Sequence, residues 1–179
     1  MLSLALRPGF QTEKENWMKT HYSVAAIQMV SGTDLSANLQ RAEQLVAEAA
    51  VRGAALVVLP EYFCLMGAHE HDKVACAEPA GSGPIQQALA RMAAQYALWL
   101  VTGSMPLQSP DAGRVYNTCW VFDPGGNAQA RYDKIHLFDV TIFANGERYC
   151  ESENIEPGDQ IVVVDTPFGK LGLSICYDL

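Results

Sequence analysis

A carboxylate, an amine and a thiol each follow directly on an apolar or strand-like run in this chain. Glu61 comes after Leu59-Pro60, Lys134 after Tyr132-Asp133, and Cys176 after Ser174-Ile175. Ligand sites in open α/β sheets gather where strands end. A cysteine that attacks a carbonyl carbon needs a base to take its proton, a donor for the developing oxyanion and an acid for the departing nitrogen. Glu61 can fill the first and third roles and Lys134 the second. Taken singly, each residue has an ordinary reading: a cysteine on an apolar strand is a small buried hydrophobe, a glutamate after a strand is solvated or caps a turn, and a lysine is a surface charge. Their combination is what points to nucleophilic chemistry. Packed together, the three groups are expected to perturb one another's pKa values and so activate the thiol near neutral pH.

The elements that must position them follow from periodicity. Val24-Ala25-Ala26-Ile27 reads as a buried strand, and Asp34 after the turn at Ser31-Gly32-Thr33 can cap a helix. Leu39, Ala42, Val46, Ala49 and Ala50 recur at helical spacing, with Asn38, Gln40, Arg41, Glu43 and Glu48 covering much of the rest, and Gly53 can end that helix. Ala55-Leu56-Val57-Val58-Leu59 is the next strand. Strand, helix, strand at this spacing implies a right-handed crossover between neighbouring parallel strands. The pattern repeats with a helix opening at Ser82 and Pro84, its inner face Ile85, Leu89, Met92, Ala93 and Tyr96, and a returning strand Leu98 to Val101 closed by Gly103. Tyr116 to Phe122 and Ala128 to Tyr132, joined at Asp123-Pro124-Gly125-Gly126-Asn127, read as an antiparallel hairpin. Residues 135 to 160, with Asn145-Gly146 and Pro157-Gly158, read as a long loop of the kind that is functional or disordered. Ile161 to Asp165 and Leu171 to Cys176 read as two closing strands.

Composition excludes several function classes. The chain has 179 residues, 49% of them hydrophobic, which suits one globular α/β domain with a substantial core. A net charge of −8 and a pI near 4.9 leave no broad basic surface, so neither nucleic acid nor a membrane is expected as partner. Apolar runs are far shorter than the roughly 20 residues a membrane span needs, and the opening Met1 to Leu6 has no basic residue before it, unlike a secretory signal. The five cysteines, Cys64, Cys76, Cys119, Cys150 and Cys176, are odd in number and lack close C-x-x-C spacing, which fits a reducing, cytoplasmic compartment. Met18 offers a second start, which would make residues 1–17 an untranslated or disordered leader; the domain division is a leader over 1–20 and a domain over 21–179.

Leu59-Pro60-Glu61-Tyr62-Phe63, Tyr132-Asp133-Lys134-Ile135-His136-Leu137-Phe138-Asp139 and Gly172-Leu173-Ser174-Ile175-Cys176-Tyr177-Asp178 resemble the three signature blocks of the nitrilase superfamily, in that family's order. Ala26-Ile27-Gln28-Met29, Tyr116-Asn117-Thr118 and Pro157-Gly158-Asp159 resemble its connecting text. The resemblance implies a carbon-nitrogen hydrolase with an alpha-beta-beta-alpha sandwich, assembled as a homo-oligomer and needing no metal or organic cofactor. It implies Glu61 as general base, Lys134 as stabiliser of the tetrahedral intermediate and Cys176 as nucleophile. The N–H of Tyr177 would be a second oxyanion donor, and Glu151 an auxiliary glutamate that helps position substrate. The implied reaction converts a small amide to a carboxylic acid and ammonia through a cysteine thioester. The wording around Lys134 is similar to the small-amidase branch that includes omega-amidase and deaminated-glutathione amidase, which favours an amide of a small dicarboxylic acid or a peptide-like molecule as substrate.

Other readings stay open at this stage. His69-Glu70-His71 could suggest a metal cluster, but a solvated loop accounts for it. His136 could pair with Cys176 as a protease-like dyad, or be a packed loop residue beside Lys134. Family members are longer than this chain, so a truncated, non-catalytic fragment is the alternative to an active enzyme. In it, one sheet face would expose apolar surface and unpaired edges.

Overall fold

A computed structural model describes residues 21–69, 71–142 and 147–179. The expected leader, Met1 and Met18, together with Glu70 and Asn145-Gly146, lies outside the described residues. The first strand is β1 (Ser23–Ala26), followed by helix α1 (Leu35–Val51) and β2 (Ala54–Val58). Asp34 caps α1 as expected, its carboxylate accepting a hydrogen bond from Ala37 N at 3.0 Å. Gly53 leaves the helix with φ +83°. The short helix α2 (Asp72–Ala75) leads to α3 (Pro84–Tyr96) and β3 (Trp99–Val101). Strands β1, β2 and β3 are parallel neighbours, as the strand-helix-strand spacing predicts.

The sheet then turns antiparallel. Strand β4 (Met105–Gln108) and the long β5 (Val115–Phe122) pair with each other, β5 also pairs with β3, and β6 (Ala128–Asp133) lies on the other side of β5. The result is one six-stranded sheet in which β1 and β4 end the path β1-β2-β3-β5-β4. Alternate residues of β2 and β3 divide between its two faces. Val57 and Leu100 join Ala42, Val46, Ile85, Leu89 and Met92 from α1 and α3 in the larger core, while Leu56 and Val101 face the other way, with Val121 and Tyr132. The antiparallel hairpin β9 (Val163–Thr166) and β10 (Gly169–Gly172) covers part of that second face through Val164, Phe168 and Leu171.

Several expectations are corrected. β1 is not buried: as an end strand it leaves Val24 exposed. Asn38, placed by helical periodicity on the polar side of α1, is buried because its amide knits Gly32 and Cys64 together; Nδ2 donates to Gly32 O at 2.8 Å and Cys64 O at 2.9 Å, and Oδ1 accepts from Gly32 N at 2.9 Å. Ser82 does not cap α3. Gly83 holds the cap position, and the buried Glu78 carboxylate takes the first N–H groups, of Ile85 and Gln86. β4 escapes a pattern reading because Pro106 interrupts it, and an end strand tolerates proline. Residues 135 to 160 are not a featureless loop: β7 (Asp139–Ile142) and β8 (Glu147–Cys150) form a hairpin, followed by a 3-10 turn over Glu151–Glu153. The last strand ends at Gly172, so Cys176 stands beyond it in a 3-10 turn over Cys176–Asp178.

Candidate active site

The Glu61 segment leaves β2 under tight backbone control. Leu59 N donates to Val101 O at 2.9 Å, extending the β2–β3 ladder by one rung, and Tyr62 N donates to the buried Ser104 Oγ at 3.0 Å. Gly103, at φ +61°, passes so close that a Cβ there would stand 2.0 Å from Pro60 O. Tyr62 itself sits at φ +50°, a region that L residues other than glycine seldom enter. This sharp turn throws the Glu61 side chain back across the sheet end, where Asn117 Nδ2 donates to its Oε1 at 2.9 Å.

Lys134 continues the β5–β6 ladder: its N donates to Asn117 O at 2.9 Å, and its O accepts from Gly158 N at 2.8 Å. The side chain is 2% exposed. Its Nζ lies 3.4 Å from Glu61 Oε1 and 3.0 and 2.8 Å from the two oxygens of Glu151. Glu151 is fixed in turn by Phe138 N, which donates to Oε2 at 2.8 Å. A buried ammonium without partners would lose its proton. Burial does press the Lys134 pKa down, but the hydrogen bond to Glu151 and the charges of Glu61 and Glu151 outweigh it and raise the value above 10.5. Lys134 is therefore a donor throughout the neutral range and no base.

Cys176 lies at φ +50° on the exposed 3-10 turn and faces Glu61. A strained turn of this kind lifts the side chain clear of the sheet. Burial raises the Cys176 pKa first, then the negative charge of Glu61 and the hydrogen bond the thiol makes to it, while Lys134 pulls the other way and loses. The three groups do perturb one another as expected, and burial together with the Glu61 charge favours the protonated form of the resting thiol.

Glu61, Lys134, Glu151 and Cys176 line one cleft of about 400 Å3, together with Tyr62, Phe138, Tyr149 and two further cations, Lys73 and Arg148. Tyr177 follows Cys176 in the same turn and packs its ring edge-on against Phe138, centroids 5.3 Å apart. All five site residues named from sequence are thus at or beside one place. His136 is not aimed at the thiol in a dyad; its ring Nδ1 is 3.0 Å from Asp178 Oδ1. His69 and His71 are exposed in the turn that enters α2.

Three contributors escaped a role in the sequence reading: Asn117, Ser104 and Asp178. Asn117 carries the one available signal, an amide within a strand of mostly apolar residues, where a polar group must find a partner once buried.

The sheet edge thus gathers a thiol, a buried ammonium and two carboxylates, the set that the resemblance to the nitrilase superfamily implies. Residues 23–179 match the family model for carbon-nitrogen hydrolases, and the chain belongs to that family. It is 39% identical over 163 residues to a deaminated glutathione amidase of Yersinia enterocolitica, a match covering 88% of this chain and 54% of the relative. To omega-amidase NIT2 of Homo sapiens it is also 39% identical, over 161 residues, covering 89% and 56%. Among solved structures, Nit3 of Saccharomyces cerevisiae, a member of branch 10 of the nitrilase superfamily, superposes with a TM-score of 0.74 at 30% identity, covering 88% of this chain and 56% of that one. The fold is therefore nitrilase-like, and the chain spans about half the length of the curated relatives it matches.

Proposed function

We propose that this chain carries the catalytic centre of an amidase that hydrolyses a small linear amide to a carboxylic acid and ammonia. The observation that carries the reading is the seating of the Lys134 ammonium between Glu61 and Glu151 in the cleft that also holds Cys176. Cys176 Sγ attacks the amide carbonyl while Glu61 takes the thiol proton. Lys134 Nζ and the N–H of Tyr177 receive the developing oxyanion. Glu61 passes its proton to the leaving nitrogen, the C–N bond breaks, and ammonia departs from a thioester. Glu61 then takes a proton from water as the hydroxide adds to the thioester carbonyl. Collapse releases the acid, and the proton returns to sulfur. Glu151 holds Lys134 and orients substrate.

Lys73 and Arg148 on the cleft wall suit a second carboxylate on the substrate, in keeping with relatives named for omega-amides and deaminated glutathione. The same reading implies no metal or organic cofactor, a homo-oligomer, and a reducing cytoplasm in which the five free cysteines stay reduced. With three potential catalytic side chains already facing one cleft, the alternative of a non-catalytic fragment is not favoured.

The test is ammonia release from monoamides of dicarboxylic acids, compared with neutral amides of equal length, by the purified chain and its Cys176→Ala variant. Release that vanishes in the variant supports the reading. Release that persists in the variant removes it, and no release from the folded wild type favours the alternative of a non-catalytic fragment.

A further inference from the structure

Asp178 is a buried carboxylate for which the catalytic steps have no task. Its side chain is 4% exposed, and both oxygens are fully engaged. Oδ2 accepts from Tyr132 Oη at 2.6 Å and from Ile175 N at 2.8 Å. Oδ1 accepts from His136 N at 2.8 Å and lies 3.0 Å from His136 Nδ1. The placement of these partners matters more than their number: Tyr132 and His136 flank Lys134 two residues to either side, and Ile175 immediately precedes Cys176. One carboxylate therefore joins the segment that carries the ammonium to the turn that carries the thiol.

That turn needs an external tie. Cys176 holds a left-handed backbone conformation without being glycine, and such a conformation persists only where its surroundings over-determine it. The other backbone bonds of the turn are local: Asp178 N donates to Ile175 O, and Leu179 N to Cys176 O. Burial alone would favour a neutral Asp178, but the hydrogen bonds from Tyr132, His136 and Ile175 prevail and keep it ionised. Charge-assisted bonds are about twice as strong as neutral ones and shorter, which suits a group that must hold two segments in register.

We propose that Asp178 is a positioning residue: by bonding both backbones it sets where the Cys176 thiol stands relative to Lys134 and Glu61. The inference rests on the amidase reading for its kinetic consequence and on geometry alone for its effect on the thiol. Reacting groups lose rate steeply when displaced by an ångström, and a supporting shell is what prevents that displacement.

The experiment uses two variants of the full chain. Asp178→Asn has one acceptor oxygen where the carboxylate has two, so at least one of the four contacts must fail. Tyr132→Phe leaves Asp178 and the nucleophile turn intact, removes a single anchor and keeps the buried ring, so it folds if Asp178→Asn does not. Both are compared with wild type for kcat and KM on a dicarboxylic monoamide, and for the pH dependence of Cys176 alkylation by iodoacetamide, followed on the Cys176 peptide by mass. The expected result is a kcat lower by about tenfold to a hundredfold with KM within about threefold, and an alkylation profile displaced along the pH axis. A lower melting temperature with kcat and the alkylation profile both unchanged makes Asp178 merely structural and overturns the proposal. If wild type hydrolyses none of the amides, the kinetic arm fails with the amidase reading, and the alkylation arm still decides this one.

Discussion

Lys134 Nζ is seated on Glu151, 3.0 and 2.8 Å from its two carboxylate oxygens, and lies only 3.4 Å from the nearer oxygen of Glu61. On the proposed mechanism the inequality separates the two glutamates by task. Glu151 is committed to the ammonium and to Phe138 N, whereas Glu61 keeps the weaker hold and faces the thiol. A carboxylate bound tightly by a lysine is a poor base, so a base that must take a thiol proton is better placed at the longer distance.

The resting state of the thiol follows from this arrangement. Burial is the largest cause of the raised Cys176 pKa; Glu61 adds to it by its charge and by accepting the thiol's hydrogen bond, whereas Lys134 lowers it, so removing the Glu61 charge takes away part of the rise. Glu61→Gln is expected to lower the Cys176 pKa, so that alkylation by iodoacetamide at neutral pH becomes faster than in wild type while amide turnover falls by about a hundredfold or more. The check is the alkylation rate of the Cys176 peptide from pH 6 to 10. A slower variant would show that Glu61 activates the resting thiol instead of restraining it.

Lys134 is as much a structural cation as a chemical one. Replacing it with methionine fills the volume but leaves Glu61 and Glu151 facing each other. The expected loss of stability is about 3 kcal/mol, the low end for breaking a buried pair because Glu61 is about 30% exposed and partly screened. Adding Glu151→Gln should restore part of it, which urea denaturation of the single and double variants will measure. In wild type the Lys134 pKa is raised, so its stabilisation is complete below pH 10.5 and lost as pH climbs through the still higher folded value.

What could be read from sequence divides along sequence distance. The core strands Ala55 to Leu59 and Leu98 to Val101, and the inner faces of α1 and α3, follow from periods contained within each segment. The three chemical groups were legible because each lies in a compact local motif. Asn38, Asn117 and Asp178 were not, because their partners Cys64, Glu61 and Tyr132 stand 26, 56 and 46 residues away. No local pattern records such a pairing. The direction of the thiol pKa was not legible either, because burial, its largest cause, and the closeness of Glu61 depend on the whole fold.

Gly158 tests how closely the Lys134 backbone must be backed. A Cβ at that position would lie 2.2 Å from Asp133 O and 2.9 Å from Asp133 C, backbone atoms that cannot swing aside as a side chain would. Gly158→Ala must therefore push the 133–134 peptide away or break the Gly158 N to Lys134 O bond. A destabilisation of about 1–3 kcal/mol is expected, with kcat lowered by about tenfold or more as Lys134 moves. Denaturation and steady-state kinetics on the same preparation provide the check. Unchanged kcat in a folded variant would show that the site tolerates displacement of this strand end.

Acid stability reports on Asp178 independently of any substrate. Its pKa lies below the ordinary value of 3.8, because burial is outweighed by the hydrogen bonds from Tyr132, His136 and Ile175. The native state thus binds this proton less readily than the unfolded chain, and stability from the ionised form is complete above pH 3.8 and lost as pH falls through the lower, folded value. Asp178→Asn cannot ionise, so its stability relative to wild type should be worst at neutral pH and the gap should narrow on acidification below pH 4. Urea midpoints for the two proteins at pH 7 and at pH 3.5 measure that gap directly. A gap of equal size at both values would mean that the carboxylate's charge contributes nothing to holding the nucleophile turn.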